Sequence, residues 1–372
     1  MFKNLLKNTD YILFISVAIL IVIGIIGIYS AGYNTTVNKD EYIKQMIWVG
    51  ISFVIMGILW AIDYNIFDIG GYVLYFVNLV LLVAVLFMPS LMGASSWFNL
   101  GGFLYQPSEP MKIGVILCAA KFISMYKNSL NKNKKSNVIF LISISLIYML
   151  PIALILKQPD FGTAMAFVMI AIFMIFKSGI KYRYILIGLA IAIVMMPLVY
   201  FFILNDVQKQ RILVFINPNL DPLGSGYNAI QSQIAVGAGM TTGNGLLKGP
   251  QTQYGYLPIK STDFIFSVIS EEFGFVMSVS IVILYTILII RLILISKNAK
   301  DEFASLIAIG IAGMFSFHFI ENIGMTIGLL PITGVPLPFL SYGGSSMITN
   351  MIAIAIALNI SARKSSRTLF FE

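Results

Sequence analysis

Long apolar runs separated by short polar segments make up most of this sequence. A helix that crosses a bilayer needs about 20 mostly apolar residues. Ten runs meet or approach that length, at 11–31, 46–62, 67–88, 109–126, 137–156, 161–178, 184–204, 264–296, 303–329 and 343–361. The run at 264–296 is longer than one crossing requires, which predicts a helix that is tilted or extends beyond the membrane. The pattern predicts an all-α polytopic membrane protein with about ten transmembrane helices.

The segment at about 205–262, between the seventh and eighth runs, is long and polar. It is rich in Gly, Asn, Gln and Pro, and the segments 89–108 and 330–342 on the same predicted side are rich in Gly and Pro. Long ordered loops usually carry function. We therefore treat 1–372 as a single integral membrane domain with a large extracellular loop between helices 7 and 8.

Charge and composition fix the class of protein and its orientation. Only 11% of the residues are charged and 58% are hydrophobic, whereas soluble proteins carry roughly a quarter charged residues, which excludes a water-soluble enzyme. With the N-terminus inside, 15 of the 24 lysines and arginines fall on inner segments, so the positive-inside rule predicts two cytoplasmic termini. The net charge of +8 then reflects topology and contact with anionic membrane lipids, and no nucleic-acid partner is expected.

The chain has one cysteine, Cys118, and one histidine, His318. These numbers exclude an intramolecular disulfide and a zinc site built from Cys and His. Cys118 is expected to be a small buried apolar residue. His318 lies in an apolar run without a nucleophile motif, so a hydrogen-bonded packing histidine is favoured over a catalytic triad.

Ionisable residues in or near the membrane are costly and mark candidate functional sites. They cluster toward the outer side: Glu109, Lys112, Asp160, Asp263, Glu271, Glu272 and Glu321. Ser108 is a plausible N-cap for the next helix, and the spacing of Glu109 and Lys112 allows an ion pair on one helical face. A capped helix start with a structural ion pair is the alternative to a functional role.

Asp263 lies where the chain re-enters the membrane after the large loop. It could be an N-cap carboxylate only. Reduced solvation at a membrane boundary would instead raise its pKa and make it a better general base. Both interpretations are open from the position alone.

Five segments occur in an order that resembles a known family. They are GASSWFNLGGFLYQPSEPMK, KQPDFGTA, NPNLDPLGSGYNAIQSQIAVGAGM, LPIKSTDFIFSVISEEFGF and NIGMTIGLLPITGVPLPFLSYGGSS. Together they closely resemble the SEDS family of peptidoglycan glycosyltransferases, with its RodA, FtsW and SpoVE branches, over essentially the whole chain. The sequence of the TGVPLPF motif favours the RodA, or elongation, branch over the division and sporulation branches.

The resemblance implies an activity, partners and site residues. SEDS proteins polymerise lipid II, an undecaprenyl-diphosphate-linked precursor, outside the bacterial cytoplasmic membrane together with a class B penicillin-binding protein transpeptidase. The catalytic aspartate of the family corresponds to Asp263, Glu109 and Lys112 correspond to cavity residues, and Asp160 to the acid of the QPD motif. The chain departs from the family pattern at several positions: Ser95, Ser96, Met240, Ile259, Ser261, His318 and Glu321.

Glycosyl transfer from a lipid diphosphate needs a base, stabilisation of the departing diphosphate and a groove for the lipid. A single carboxylate base suits a single displacement with inversion. We expect Asp263 to be the base, Lys112 to stabilise negative charge, and Glu109 to be its partner or an aid to metal binding. Other candidates for stabilising the diphosphate are Lys248, Lys260, Arg211 and a divalent cation, Mg²⁺ or Mn²⁺, held by carboxylates.

Two other classes of function remain open at this point. A lipid II flippase would also explain ten spans, intramembrane charges and broken, Pro/Gly-rich outer segments such as 328–344. Its reactive groups, however, should lie near the midplane rather than at outer helix starts. A scaffold for a partner enzyme is the other possibility, and in that case the carboxylates would be dispensable.

Overall fold

A computed structural model describes residues 2–35, 39–64, 66–89, 95–101, 103–127, 134–204, 206–222 and 224–363. The long helices in these ranges are α2 (Tyr11–Gly32), α3 (Glu41–Ala61), α4 (Ile66–Val85), α5 (Ser108–Tyr126), α6 (Lys134–Lys157), α7 (Phe161–Lys177), α8 (Tyr182–Leu198), α12 (Ile265–Lys297), α13 (Glu302–Thr326) and α14 (Gly344–Ala362). Shorter elements are α1 (Phe2–Asn8), α9 (Asp206–Ile216), α10 (Ser225–Ala238), α11 (Pro250–Gln253), a π-helical turn after α8 (Val199–Ile203) and a 3₁₀ turn (Pro218–Leu220).

Every predicted apolar run corresponds to a helix, and the predicted all-α polytopic class is confirmed. In the described ranges, seven helices are long and apolar enough to cross a membrane: α2, α3, α4, α6, α12, α13 and α14. The apolar helix α7 is shorter, at 17 residues. The number of ten crossings therefore stays a prediction.

Helices α13 and α14 form the centre of the bundle and are mostly buried. α13 packs against α5, α7 and α12, and α14 packs against α3 and α5. A Cβ at Gly310 of α13 would lie 2.9 Å from Met174 Sδ and 3.0 Å from Ile116 Cγ2, so the lack of a side chain lets three helices approach closely. Large apolar side chains on the outer faces of α3 and α4, such as Val54 and Ile69, are exposed, as expected for surfaces that face lipid.

The long run at 264–296 is a broken helix, and whether it is tilted or extends beyond the membrane stays a prediction. Gly274 interrupts α12 with φ 73° and ψ −168°. The backbone N–H groups of Phe275 and Val276, next to the break, donate to Met240 O at 2.8 Å and Thr241 O at 3.3 Å. The glycine-dense stretch after α10 thus satisfies the backbone groups that the break would otherwise leave unpaired.

Replacing Gly274 by alanine is expected to destabilise the fold. The new Cβ would lie 2.3 Å from Gly243 N and 2.7 Å from Thr241 O, and a positive φ alone costs a side chain about 1–3 kcal/mol. We expect a clearly lower thermal unfolding midpoint in detergent. Gly237→Ala is the matched control, because a Cβ there has no neighbour within 4 Å; equal midpoints for the two variants would contradict the role assigned to the break.

A small β-hairpin, which the sequence analysis did not predict, precedes α5. Strand β1 (Phe98–Leu100) pairs antiparallel with β2 (Phe103–Tyr105), with Phe98 opposite Tyr105. Ser345 Oγ, at the start of α14, donates to Leu104 O at 2.9 Å. The hairpin therefore ties the beginning of α5 to the beginning of α14.

A candidate active site at the starts of three helices

The predicted ion pair at the start of α5 is present. Lys112 Nζ lies 2.9 Å from Glu109 Oε1, and both side chains are buried. The three-residue spacing places both on one face of the helix. The prediction that Ser108 caps this helix is wrong, because α5 begins at Ser108 with Pro107 in the cap position, and Ser108 Oγ has no hydrogen-bond partner among the described residues.

His318 of α13 joins this pair, which local sequence could not reveal. Its Nε2 atom lies 3.0 Å from Lys112 Nζ and its Nδ1 atom lies 3.2 Å from Pro336 O. A carbonyl can only accept and an ammonium can only donate, so these contacts require a neutral imidazole that carries its proton on Nδ1. The expected hydrogen-bonded histidine is confirmed, but its partner is a buried charge 206 residues away.

Asp160 lies next to this cluster and caps α7. Its Oδ1 atom accepts a hydrogen bond from Thr163 N at 3.0 Å, and its Oδ2 atom accepts one from Gln106 Nε2 at 3.2 Å. Burial raises the pKa of the Asp160 carboxyl, and the charge of Glu109 raises it further, while that of Lys112 lowers it. The starts of α5 and α7 therefore lie close together. Helix α12 begins at the same end of the bundle, which we call the site end.

Asp263 precedes α12 at the site end, and its side chain does not cap that helix. The cap position of α12 is Phe264, and the hydrogen bond of the Asp263 side chain is with Thr262. Partial burial raises the pKa of Asp263 to about 6, the charge of Asp160 raises it further, and Thr262 and Arg211 lower it. The direction of this shift is the one expected from reduced solvation, and the role of Asp263 as a base stays a prediction.

The three loop cations that the sequence offers as candidates, Arg211, Lys248 and Lys260, occupy different places. Arg211 on α9 is close enough to Asp263 to affect its titration, and it lines a cavity of about 30 Å³ between α9, α10 and residues 328–332. Lys260 Nζ donates to Thr252 O at 2.7 Å; burial lowers the pKa of Lys260, and Glu271 and Glu272 oppose this. Lys248 is exposed. The roles of Arg211, Lys248 and Lys260 stay predictions.

Glu271 and Glu272 hold the loop rather than face Asp263. Glu271 accepts hydrogen bonds from Gln251 N at 2.7 Å, Thr252 N at 3.0 Å and Thr252 Oγ1 at 2.7 Å. Glu272 Oε1 accepts from Ser30 Oγ at 2.5 Å and from Gln253 Nε2 at 3.0 Å. These carboxylates attach the loop around α11 to α12 and α2.

The described residues do not assemble a cation site from protein ligands alone. In those ranges, no three side chains of the His, Cys, Asp and Glu types come together as metal ligands would. Mg²⁺ is commonly bound by one or two carboxylates together with the phosphates of a substrate. The divalent cation considered from the sequence therefore stays a prediction.

A carboxylate and a buried positive charge lie at one end of this membrane protein. Asp263 is partly accessible, and its raised pKa of about 6 would suit proton abstraction from a hydroxyl. Lys112 is fully buried between Glu109 and His318, so it acts on the neighbouring carboxylates through its charge. Arg211 adds a cation on the loop side of Asp263.

Comparisons with known proteins agree with the resemblance drawn from the motifs. Peptidoglycan glycosyltransferase RodA of Treponema pallidum is 34% identical, covering 96% of this chain and 98% of that protein. Peptidoglycan glycosyltransferase MrdB of Escherichia coli K12 is 37% identical, covering 92% and 90%.

A solved structure and a family model also match this chain over most of its length. The structure, described as showing how a peptidoglycan synthase complex coordinates polymerization and crosslinking, matches with a TM-score of 0.80 and 28% identity over 95% of this chain and 97% of that one. The model of the FtsW/RodA/SpoVE family, described as "Cell cycle protein", matches residues 10–366. Together with 34–37% identity to curated relatives over nearly their whole length, this match means that the chain belongs to the FtsW/RodA/SpoVE, or SEDS, family.

Proposed function

We propose that this protein is a peptidoglycan glycosyltransferase of the RodA type, which polymerises lipid II during cell elongation. The observation that carries the proposal is Asp263: a partly buried carboxylate with a pKa of about 6, placed before a membrane helix without serving as its cap. Two relatives that are 34% and 37% identical to this chain are named peptidoglycan glycosyltransferases, which supports this class of reaction. The flippase alternative lacks such support, because Asp263, Asp160 and Glu109 lie at helix starts.

The proposed reaction is a single displacement at the anomeric carbon of the donor. Asp263 takes the proton of the acceptor hydroxyl while that oxygen bonds to the anomeric carbon. The bond from this carbon to the diphosphate oxygen breaks, and the undecaprenyl diphosphate leaves with the electron pair. The candidates for stabilising the developing negative charge are Lys112 and Arg211, the latter because its charge lowers the pKa of Asp263, and one carboxylate base suits inversion at the reacting carbon.

The activity of the wild-type protein is expected to depend on the protonation of Asp263. A base acts only when deprotonated, so the rate should fall as the pH decreases through about 6, the pKa of this carboxyl. An ordinary aspartate would give this acid limb near pH 4. Initial rates of polymerisation between pH 4.5 and 8 measure it, and a rate that stays flat down to pH 5 would contradict the assignment.

The direct test uses purified protein and lipid II. We expect glycan polymer when the protein is supplied with lipid II and a class B penicillin-binding protein, the transpeptidase partner inferred from the family. A flippase or scaffold gives no polymer when the partner's own preparation lacks a transferase. Absence of polymer from folded protein, with a partner preparation that has no transferase of its own, would refute the proposal.

We place the site end at the outer face of the bacterial cytoplasmic membrane, with both termini in the cytoplasm. In a Cys118→Ser background, a cysteine at Asn219, which is exposed near the site end, should react with a membrane-impermeant thiol reagent in intact cells. A cysteine at Lys300, between α12 and α13, should react only after the cells are opened. The reverse pattern would overturn the orientation. The position Asn133, also predicted to be cytoplasmic, lies outside the described residues.

A further inference from the structure

An extended segment after α13, residues 331–336, crosses the site end; we call it the strap. Three side chains on one face of α13 hold it. His318 Nδ1 donates to Pro336 O at 3.2 Å, Asn322 Nδ2 donates to Val335 O at 2.8 Å, and Glu321 Oε1 accepts from Thr333 Oγ1 at 2.7 Å. All three α13 side chains are buried, so these bonds form where water competes little.

The strap lies directly against the proposed base. A Cβ at Gly334 would be 3.2 Å from Asp263 Oδ2, and Gly334 has φ +75°, so glycine both permits the backbone turn and leaves room for the carboxylate. The amide of Asn322 that holds Val335 also donates to Asp263 O at 2.9 Å. One side chain therefore fixes both the strap and the backbone of Asp263.

The strap also reaches the other two helix starts. A Cβ at Gly162, at the start of α7, would be 2.5 Å from Val335 Cγ2, so the strap packs closely beside the helix that Asp160 caps. His318 links the strap to the start of α5, because the ring that donates to Pro336 O also accepts a hydrogen bond from the Lys112 ammonium. The strap thus lies against Asp263, packs beside the start of α7 and is linked to Lys112 through His318.

We propose that His318 and Asn322 are positioning residues, which hold the strap against Asp263 and connect the base to the buried Glu109–Lys112 pair. Neither side chain takes part in bond making. They fix the position of Asp263 and the exclusion of water around its carboxylate, and this role rests on the function proposed above.

Burial by the strap has a measurable consequence for Asp263. Reduced solvation is the main cause that raises the pKa of Asp263 to about 6. The other groups that act on this pKa are Thr262, through a hydrogen bond, and Arg211 and Asp160, through their charges. Releasing the strap leaves these groups in place but admits water. The pKa of Asp263 should then fall toward the ordinary aspartate value of about 4.

The test compares four variants: His318→Leu, Asn322→Leu, His318→Gln and Tyr285→Phe. The two leucine variants remove the strap contacts. Glutamine can accept from Lys112 through its carbonyl and donate to Pro336 O through its amide, so it should restore both bonds. Tyr285→Phe is the matched control, since it removes a hydrogen bond to Pro338 O, two residues beyond the strap, without touching the site.

Two readouts are made on folded, monodisperse protein. The first is polymerisation as a function of pH, with kcat and KM for lipid II separated. The second is labelling of Asp263 by a hydrophobic carbodiimide, which reacts with protonated carboxyls, followed across pH by peptide mass spectrometry. The labelling does not require enzyme turnover. It therefore tests the role of the strap even if the wild-type protein does not polymerise lipid II and the proposed function is wrong.

We expect His318→Leu and Asn322→Leu to lower kcat by about 10–100-fold with KM little changed, as for a misplaced reacting group. Their acid limb and their labelling midpoint should both move from about 6 toward 4. His318→Gln and Tyr285→Phe should keep the wild-type midpoint and a rate within about threefold of wild type. An unchanged labelling midpoint in both leucine variants, or an equal shift in Tyr285→Phe, would overturn the proposal.

Discussion

Asp263→Asn is expected to make glycan polymer about 10²–10⁴-fold more slowly than the wild type, which is the usual effect of losing a positioned base. The amide keeps the size of the carboxylate and its hydrogen bond with Thr262, but it cannot take the proton of the acceptor hydroxyl. The measurement is the initial rate of polymerisation by purified protein with lipid II and the transpeptidase partner. Binding of lipid II should remain.

The expected loss is a loss of chemistry, because the fold does not need the charge at this position. Phe264, rather than Asp263, occupies the cap position of α12, and a partly buried carboxylate with a raised pKa gains stability when it becomes neutral. The thermal unfolding midpoint of Asp263→Asn should therefore equal or exceed that of the wild type. Asp206→Asn, an exposed acid at the start of α9, is the control and should polymerise normally. Substantial polymer from Asp263→Asn would refute the assignment of the base.

Lys112→Ala should lower both stability and activity. Lys112 is fully buried, and its removal leaves the Glu109 carboxylate and His318 Nε2 without their partner. Glu109 Oε2 already has no hydrogen-bond partner among the described residues, so little remains to compensate its charge. An unpaired buried charge costs about 3–5 kcal/mol, which predicts a large drop in the thermal unfolding midpoint and a lower polymerisation rate in the protein that remains folded.

The same helix supplies the control for this prediction. Lys121 of α5 pairs with Asp68 at 2.6 Å, but both side chains are about one-third exposed. Pairs of this kind contribute about 0–1 kcal/mol, so Lys121→Ala should leave stability and activity almost unchanged. Wild-type polymerisation by folded Lys112→Ala would mean that the buried pair has only a structural role.

Features with local sequence signals were predicted from the sequence, and they include most of the fold. The helices follow the apolar runs because each run must satisfy its own backbone hydrogen bonds in the membrane. The Glu109–Lys112 pair followed from helical spacing, and the raised pKa of Asp263 from its position at a helix start. The β-hairpin was missed although a Gly-Gly pair between two short apolar runs is a recognised hairpin signal.

Features that depend on contacts between distant segments were not predicted. His318 meets Lys112 across 206 residues, and nothing in an apolar run shows which side chain lies opposite. The break at Gly274 follows Glu271 and Glu272 in the sequence, but the groups that pair with its backbone lie in a loop 35 residues earlier in the chain, at Met240 and Thr241. Ser108 is a residue type that often caps helices. Here α5 begins at Ser108 itself, and Pro107 occupies the cap position.

The pairing of α3 with α14 sets the order of assembly during synthesis. Asn359 of α14 donates to the backbone carbonyls of Leu59 and Ile62 at 2.6 Å and 2.5 Å, so it closes the C-terminal end of α3. About 280 residues separate the end of α3 from the start of α14, and a ribosome needs on the order of 15–60 s to add them. Throughout that interval the carbonyls at the end of α3 can bond only to water at the membrane surface, so the pairing of α3 with α14 forms only after α14 has been made.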